Sequence, residues 1–395
     1  MSTTMTVTAP TQPDISYHPD EKKFRERTAR RLAENPSLPE TPLPPGYPKK
    51  VESPIVWEGK DWTSEDQWVY RLSPEELKEI DEGLAHFKGL DKPMGSINRD
   101  TFPLPTLGSK LYSFAEELYS GRGFFVLRTI PVDSYSRSDL AIIYAGISSH
   151  VGSARGKQDG TGAVLAHIKD LTVSHAHEKG GIGNAAYTTD GQVFHTDVGD
   201  LIALLAIQVA AEGGTSRIAS SARVYNEIAA TRPDLIKTLS EPWVLDSFGE
   251  GSGYRERPLL YYEDGHIIIQ YSRRHFTGYN TQLRNPNIPP ITEAQAEALD
   301  TVHYLAEKYS LALNFQKGDI QYINSLGLLH ARDAFRDDAD HVRHLIRLWL
   351  RNDKLAWKTP DPLQPVWQRL YAVSPEEQRF PIEPEIRRKP NGSTK

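Results

Sequence analysis

The residues best suited to chemistry in this sequence are two histidines and an aspartate that could share one metal ion. His195 and Asp197 stand two apart in GQVFHTDVGD, and His330 lies in INSLGLLHARDAF. Residues two apart on a strand project to the same face, so a strand here would direct His195 and Asp197 to one point. Two imidazoles and one carboxylate on one side of an ion leave positions open, which suits iron(II), a bidentate keto acid and dioxygen.

The spacing of His195 and Asp197 is weak evidence when taken alone. With 13 histidines in 395 residues, a match of this length arises roughly once by chance. A second match, from His18 to Asp20, occurs in a proline-rich segment where no strand is expected. Without further context, His195 and Asp197 would be interpreted as a hydrogen-bonded surface pair, so the residues around them decide.

Two arginines downstream of His330 supply that context. Arg343 follows His330 by 13 residues, and Arg347 comes four later in the apolar segment RHLIRLWL. Residues four apart on a strand share a face, so both guanidinium groups are expected to point inward. A buried arginine is costly unless it meets an anion, and its planar fork matches a carboxylate. Internal salt bridges, or the carboxylates of a keto acid and an acidic substrate, would each satisfy them.

The elements that must position these residues differ between the two halves of the chain. SPEELKEIDEGLAHFKGL predicts a helix capped by Ser73 with Pro74 at its first position. Further helices are predicted over 107–119 and 138–151, and another begins at Thr292. From residue 152 onward, short apolar runs between Gly and Pro predict strands. The predicted strands cover residues 123–130, 201–211, 215–219, 259–262, 266–271, 318–323 and 345–350. Such a second half favours a barrel or two-sheet roll that carries the chemistry.

Composition divides the chain into a core and two flanks. Residues 1–55 are rich in Pro, Thr and charge, which predicts an arm that is mobile or that wraps the domain or a second subunit. Residues 56–355 are predicted to form the barrel domain with a helical buttress, and 356–395 a C-terminal extension. The oligomeric state stays open, a homo-oligomer included.

Charge and cysteine content exclude several functional classes. The net charge of −6 and the pI near 6.1 make nucleic acid an unexpected partner. No run of about 18 apolar residues predicts a membrane span, and no secretory signal is recognised at the start, so a cytoplasmic location is expected. The absence of cysteine excludes disulfides, cysteine-ligated clusters and a cysteine nucleophile.

Several segments together resemble the taurine dioxygenase (TauD/TfdA-type) family of iron(II)/2-oxoglutarate-dependent oxygenases, in its fungal branch. The matching segments are HTDV, EGGTS, GDIQYINSLGLLHAR and RHLIRLWL. The resemblance covers roughly residues 120–352. It implies a mixed α/β fold with a mainly β core, a double-stranded β-helix (jelly roll) with flanking helices. It also implies iron(II), 2-oxoglutarate and dioxygen as cofactors, and oxidation of a small acid in natural-product or small-acid metabolism.

The resemblance assigns roles to individual residues. Those that match the iron ligands are His195, Asp197 and His330. Arg343 matches the arginine that binds the distal carboxylate of 2-oxoglutarate. Ser216 in EGGTS matches the hydroxyl that assists this arginine, with Thr215 as the alternative because the family often has Asp-Thr there. Arg347 matches a position that binds the anionic group of the substrate in some relatives.

Two other functions use the same residues. A zinc hydrolase could have the same three ligands, but it needs a general base near the metal and leaves the two inward arginines unexplained. A non-catalytic barrel that binds a small anion would use the arginines and release no succinate. The oxygenase hypothesis predicts hydroxylation by default, with desaturation or cyclisation as variants. Each of these reactions would release succinate and CO2.

Overall fold

The computed structural model describes residues 11–174, 182–248 and 253–386. The ends of the predicted arm and extension, 1–10 and 387–395, lie outside the described residues. Among the described helices, none combines the length and apolar character that a bilayer crossing requires.

The predicted helices of the first half are present. Ser73 caps α2 through a hydrogen bond from the Glu76 backbone N–H, and the Glu76 side chain returns a bond to the Ser73 N–H. The helices are α1 (Glu21–Glu34), α2 (Pro74–Gly89), α3 (Leu107–Ser120), α4 (Arg137–Val151), α5 (Ser221–Thr231), α6 (Pro233–Ser240), α7 (Arg274–Thr277), α8 (Glu293–Tyr309) and α9 (Gln364–Tyr371). The pair α5 and α6 was not predicted.

The strands of the second half lie within a few residues of their predicted bounds. They are preceded by β1 (Val69–Arg71) and β2 (Phe124–Arg128). The others are β3 (Ala154–Gly156), β4 (Leu165–Lys169), β5 (Gln192–His195), β6 (Leu201–Gln208), β7 (Glu212–Gly213), β8 (Ser216–Ser220), β9 (Trp243–Asp246), β10 (Tyr254–Arg257), β11 (Leu260–Glu263), β12 (His266–Ile269), β13 (Gly278–Tyr279), β14 (Gln282–Leu283), β15 (Leu311–Leu313), β16 (Ile320–Asn324), β17 (Leu328–Arg332), β18 (Phe335–Arg336) and β19 (His344–Arg351).

Two sheets face each other and form the jelly roll. The larger sheet has the order β1-β2-β16-β6-β19-β3, with β4 also paired to β19, and the smaller has the order β15-β8-β17-β5. The Ser216 hydroxyl of β8 donates a hydrogen bond of 2.9 Å to the side-chain oxygen of Gln321 on β16, so side chains of the two sheets meet between them. The predicted fold class is confirmed.

Two local predictions about strands are wrong. Strand β5 ends at His195, so Asp197 lies in the following loop rather than two residues along a strand. Arg343 likewise immediately precedes β19, which begins at His344. In both places the end of a strand lies beside the predicted metal or keto-acid site. The alternation of residues along the sequence does not show where a strand begins or ends.

The described part of the N-terminal arm lies against the domain. Helix α1 packs on α8, where the Arg27 guanidinium bonds both Asp300 and Glu293. The preceding segment is held by the Gln12 side chain, which donates to the Phe276 carbonyl, and by Arg273, which donates to the Ser16 carbonyl. These bonds bring the arm to the segment that follows β12.

Candidate metal centre and its cavity

The three predicted metal ligands come together at one end of the smaller sheet. His195 on β5 and His330 on β17 are direct cross-strand partners, and their ring centroids are 4.1 Å apart. Asp197 joins them from the loop after β5. One potential ligand atom from each of the three residues lies within 4.8 Å of the other two, which is close enough for a single ion to bind all three.

Hydrogen bonds to the backbone orient the first two ligands. His195 Nδ1 lies 2.8 Å from the Val193 carbonyl oxygen, so Nδ1 carries the proton and Nε2 keeps its lone pair. That Nε2 is 3.8 Å from Oδ1 of Asp197. The Asp197 backbone is fixed by Ser325, whose hydroxyl accepts from its N–H and donates to its carbonyl. The turn after β5 is therefore rigid where the carboxylate projects.

The second oxygen of Asp197 is engaged by the protein. Its Oδ2 accepts hydrogen bonds from Arg347 Nη1 at 2.6 Å and from Trp349 Nε1 at 3.0 Å. Burial alone would raise the pKa of Asp197, but the charge of Arg347 holds this pKa well below its usual range. Asp197 is thus an anion that keeps Oδ1 for a metal.

Burial keeps the two imidazoles in the form that binds a metal. It lowers the pKa of His195, and it lowers the pKa of His330 to about 3. A neutral imidazole is the metal-binding form. Within the described residues, the Nδ1 atom of His330 has no hydrogen-bond partner. Two neutral nitrogen donors and one ionised oxygen donor fit iron(II), and nothing in this donor set favours a softer metal ion.

Arg347 is buried and forms an internal salt bridge, which is one of the two ways in which the sequence predicts it to meet an anion. Its Nε and Nη2 atoms donate to the side-chain oxygen of Gln158 at 3.2 and 2.9 Å, while Nη1 bonds Asp197. The internal salt bridge therefore exists, and its acidic partner is the predicted metal ligand itself. Arg347 also lines the cavity at the metal centre, so the salt bridge does not remove it from the reach of a small anion.

The cavity at the metal centre has a strongly basic lining. It encloses about 450 Å³ and is lined by His195, Asp197 and Arg347. The other charged residues of its wall are Lys157, Asp159, Arg255, Arg257, Arg274 and Arg369. Cationic side chains thus outnumber carboxylates, and the positive potential favours a negatively charged ligand.

Two of the residues predicted to bind the distal carboxylate of the keto acid, Arg343 and Ser216, are buried. Arg343 is only 4% exposed, its guanidinium carbon lies 5.2 Å from the centre of the Phe335 ring, and burial lowers its pKa to about 9. Gly214 makes room for it, since a Cβ there would come 3.0 Å from Arg343 Nε. Arg343 and Thr215 line a separate cavity of about 330 Å³.

The structure therefore divides the predicted keto-acid site between two cavities. His195 and Asp197 line one, and Arg343 lines the other. Ser216 lies between the sheets, where its hydroxyl bonds Gln321. A keto acid that reached from the metal to Arg343 would pass the side chains of Ser216 and Gln321.

Sequence reasoning missed several residues of this centre. Gln158 and Trp349 hold Arg347 and Asp197, and Tyr17 of the N-terminal arm lines the cavity. Arg332 lies two residues after His330 on β17. Strand alternation could have identified Arg332, whereas no local signal links Tyr17 to a site nearly 180 residues later.

Comparisons with known proteins agree with this geometry. Residues 87–349 match the sequence family described as "Taurine catabolism dioxygenase TauD, TfdA family". The "Taurine hydroxylase-like protein SAT17" of Stachybotrys chartarum is 37% identical over 343 residues, covering 85% of this chain and 89% of that protein. The "FR-33289 synthase" of Streptomyces rubellomurinus is 26% identical over 312 residues, covering 76% and 90%.

Solved structures share the fold at low sequence identity. An asparagine oxygenase bound to Fe(II), 3-hydroxyasparagine and succinate has a TM-score of 0.56 and 16% identity, covering 72% of this chain and 93% of that one. The non-haem iron oxygenase OrfP, bound to iron and 2-oxoglutarate, has a TM-score of 0.53 and 16% identity, covering 72% and 94%.

Proposed function

Because this chain belongs to the taurine catabolism dioxygenase (TauD, TfdA) family and is an iron(II)/2-oxoglutarate-dependent dioxygenase, we propose that it hydroxylates a small organic acid such as an amino acid or a sulfonate. Its cofactors are iron(II), 2-oxoglutarate and dioxygen. When bound, they supply the oxidation: one oxygen atom of O2 enters the substrate as a hydroxyl group, and the other enters the succinate formed with CO2. The protein binds and orients the reactants, and it excludes water from the site.

In this proposal His195, Asp197 and His330 hold the iron. The support is that their donor atoms lie within 4.8 Å of one another and that burial and Arg347 keep all three in their metal-binding protonation states. Hydrogen bonds to the Val193 carbonyl and to the Ser325 hydroxyl hold two of the ligands in place. The direct pairing of His195 with His330 across the sheet is the single observation on which the proposal depends most.

Arg343 is proposed to bind the distal carboxylate of 2-oxoglutarate, assisted by Ser216 or, in the alternative register, Thr215. Arg343 is almost fully buried, and its Nη1 has no hydrogen-bond partner among the described residues. A buried, unsatisfied guanidinium is costly unless a carboxylate reaches it. The Ser216 hydroxyl already bonds Gln321, so assistance from Ser216 requires its hydroxyl to turn toward the ligand.

The substrate is proposed to carry an anionic group that Arg347 binds. The basic wall of the 450 Å³ cavity supports this, because a small carboxylate or sulfonate gains attraction there on approach and on binding. Arg347 would then serve Asp197 and the substrate at once, since its fork presents donors in more than one direction. Tyr17 and Trp349 supply aromatic surface for the remainder of the substrate.

One anaerobic titration tests the assignment. Iron(II) followed by 2-oxoglutarate should give a visible charge-transfer band in the wild-type protein. A screen of amino acids, sulfonates and other small acids should then reveal substrate-dependent release of succinate. Tight zinc binding with ester cleavage and no band would instead support the hydrolase, and ligand binding without succinate from any acid would support a non-catalytic barrel.

The proposal also covers location and partners. We place the protein in the cytoplasm, with a small molecule as its partner, and neither nucleic acid nor a membrane in the reaction. Cell fractionation tests the location. Light scattering of the purified protein decides between a monomer and a homo-oligomer.

A further inference from the structure

Arg332 is a buried cation whose position follows from the sheet. It lies on β17 two residues after His330, and only 5% of it is exposed. Because residues two apart on a strand share a face, Arg332 projects from β17 on the same side as His330. Its direct partner on β8 is Ser216, one of the residues already assigned to the carboxylate of the keto acid.

The guanidinium of Arg332 is only partly satisfied. Its Nη2 donates to the carbonyls of Ala185, Thr188 and Asp190. Its Nε and Nη1 have no acceptor in the part of the chain that the structure describes. A buried cation with two unused donors is costly unless a ligand supplies an acceptor.

Arg332 and Arg343 both lie close to one aromatic ring. Their guanidinium carbons are 4.9 and 5.2 Å from the centre of the Phe335 ring, and the charge of Arg332 contributes to the low pKa of Arg343. These like charges repel each other, and an anion that contacts both would offset the repulsion.

Other unused donors belong to the same neighbourhood. Gln321, which is 1% exposed and accepts from the Ser216 hydroxyl, has no hydrogen-bond partner for its Nε2 among the described residues. Nη1 of Arg343 also lacks one.

We propose that Arg332 is a second carboxylate-binding residue, which holds the distal carboxylate of 2-oxoglutarate together with Arg343. This rests on the proposed function, because it assumes that 2-oxoglutarate runs from the metal towards Arg343. Nη1 of Arg332 is an unused donor at the end of the guanidinium, where it can give one charge-assisted hydrogen bond to a carboxylate oxygen. The spacing His330-Ala331-Arg332 then places a metal ligand and a keto-acid ligand on one face of one strand.

The test compares two keto acids in one variant. The anaerobic iron(II) protein is titrated with 2-oxoglutarate and with 2-oxovalerate, which has the same chain length but lacks the distal carboxylate. Arg332→Gln is expected to raise the dissociation constant for 2-oxoglutarate at least about tenfold and to leave that for 2-oxovalerate unchanged. Arg332→Lys, which keeps the charge without the fork, should fall between the wild type and Arg332→Gln.

Arg217→Gln is the matched control, because Arg217 lies on neighbouring β8 and pairs with Asp333. It should change neither dissociation constant. If Arg332→Gln does not fold, the ratio of the two constants in Arg332→Lys decides. Equal weakening of both keto acids, or no weakening of 2-oxoglutarate, would overturn the role of Arg332. Failure of the wild-type protein to bind 2-oxoglutarate would instead overturn the proposed function.

Discussion

Arg347 Nη1 lies 2.6 Å from Oδ2 of Asp197, so the arginine proposed to bind the substrate also holds a proposed metal ligand. The salt bridge orients the carboxylate and leaves Oδ1 towards His195. Substrate binding and metal geometry therefore share one guanidinium. This coupling determines how substitutions at the centre should behave.

The first prediction concerns Arg347. In Arg347→Leu the KM for the acid found in the succinate screen should rise at least about tenfold, because a charge-assisted hydrogen bond is lost, while the KM for 2-oxoglutarate should change far less. Steady-state succinate release measures both constants.

Arg347→Lys is the control for charge. It keeps the attraction to Asp197 but loses the bonds to Gln158, so its substrate KM should lie between those of wild type and Arg347→Leu. Equal rises in both KM values in Arg347→Leu would mean that Arg347 acts through the metal centre and not on the substrate.

The second prediction concerns the metal. Removing one of three ligands should abolish stoichiometric iron binding, so Asp197→Ala and His330→Ala should each retain less than about a tenth of the wild-type iron after dialysis. Asp333→Ala removes a carboxylate that pairs with Arg217 instead and should retain full iron. Mass spectrometry measures the iron content of each variant. An iron content equal to that of the wild type in Asp197→Ala would contradict the ligand assignment.

The third prediction concerns acid stability. Burial, with the nearby charge of Arg273, lowers the pKa of His303 from 6.5 to about 3. Between these values the unfolded chain binds a proton that the folded protein does not, so stability falls as the pH drops below 6.5. At pH 5.5 this histidine should cost roughly 1 kcal/mol of unfolding free energy relative to pH 7.5.

Urea unfolding at the two pH values measures that loss. The variant His303→Gln cannot take up the proton, so it should lose roughly 1 kcal/mol less on acidification than the wild type. His86→Gln alters an exposed histidine on α2 and should lose as much as the wild type. An identical loss in all three proteins would show that His303 does not contribute.

The sequence predicted the fold and the clustering of His195, Asp197 and His330 because these depend on local patterns and a resemblance. Ser73 with Pro74 marked the start of α2, and the apolar segment around Arg347 marked β19. The prediction for Asp197 reached the correct place for a partly wrong reason. Its side chain joins His195 although β5 has already ended, because Ser325 fixes the turn.

Features that depend on distant contacts could not be predicted. Helices α5 and α6 were missed since Ser220 caps α5 directly at the end of β8, where the strand pattern is still strong. The placement of Tyr17 depends on arm residues such as Ser16 meeting Arg273. The choice between a salt bridge and a ligand for Arg347 needed Gln158 and Asp197 in three dimensions.

The last prediction concerns how the arm is held. Arg27 on α1 has only 6% of its side chain exposed, and it bonds Asp300 at 2.8 Å and Glu293 at 2.9 Å. Arg27→Ala should lower the unfolding free energy by about 3 kcal/mol, because it leaves buried Asp300 with Arg273 as its remaining cation. Arg25, two residues earlier on α1, has 75% of its side chain exposed and pairs with Glu21, so Arg25→Ala should cost less than about 1 kcal/mol. Denaturant unfolding measures both variants, and equal losses would show that the arm contributes no more than a solvated surface helix.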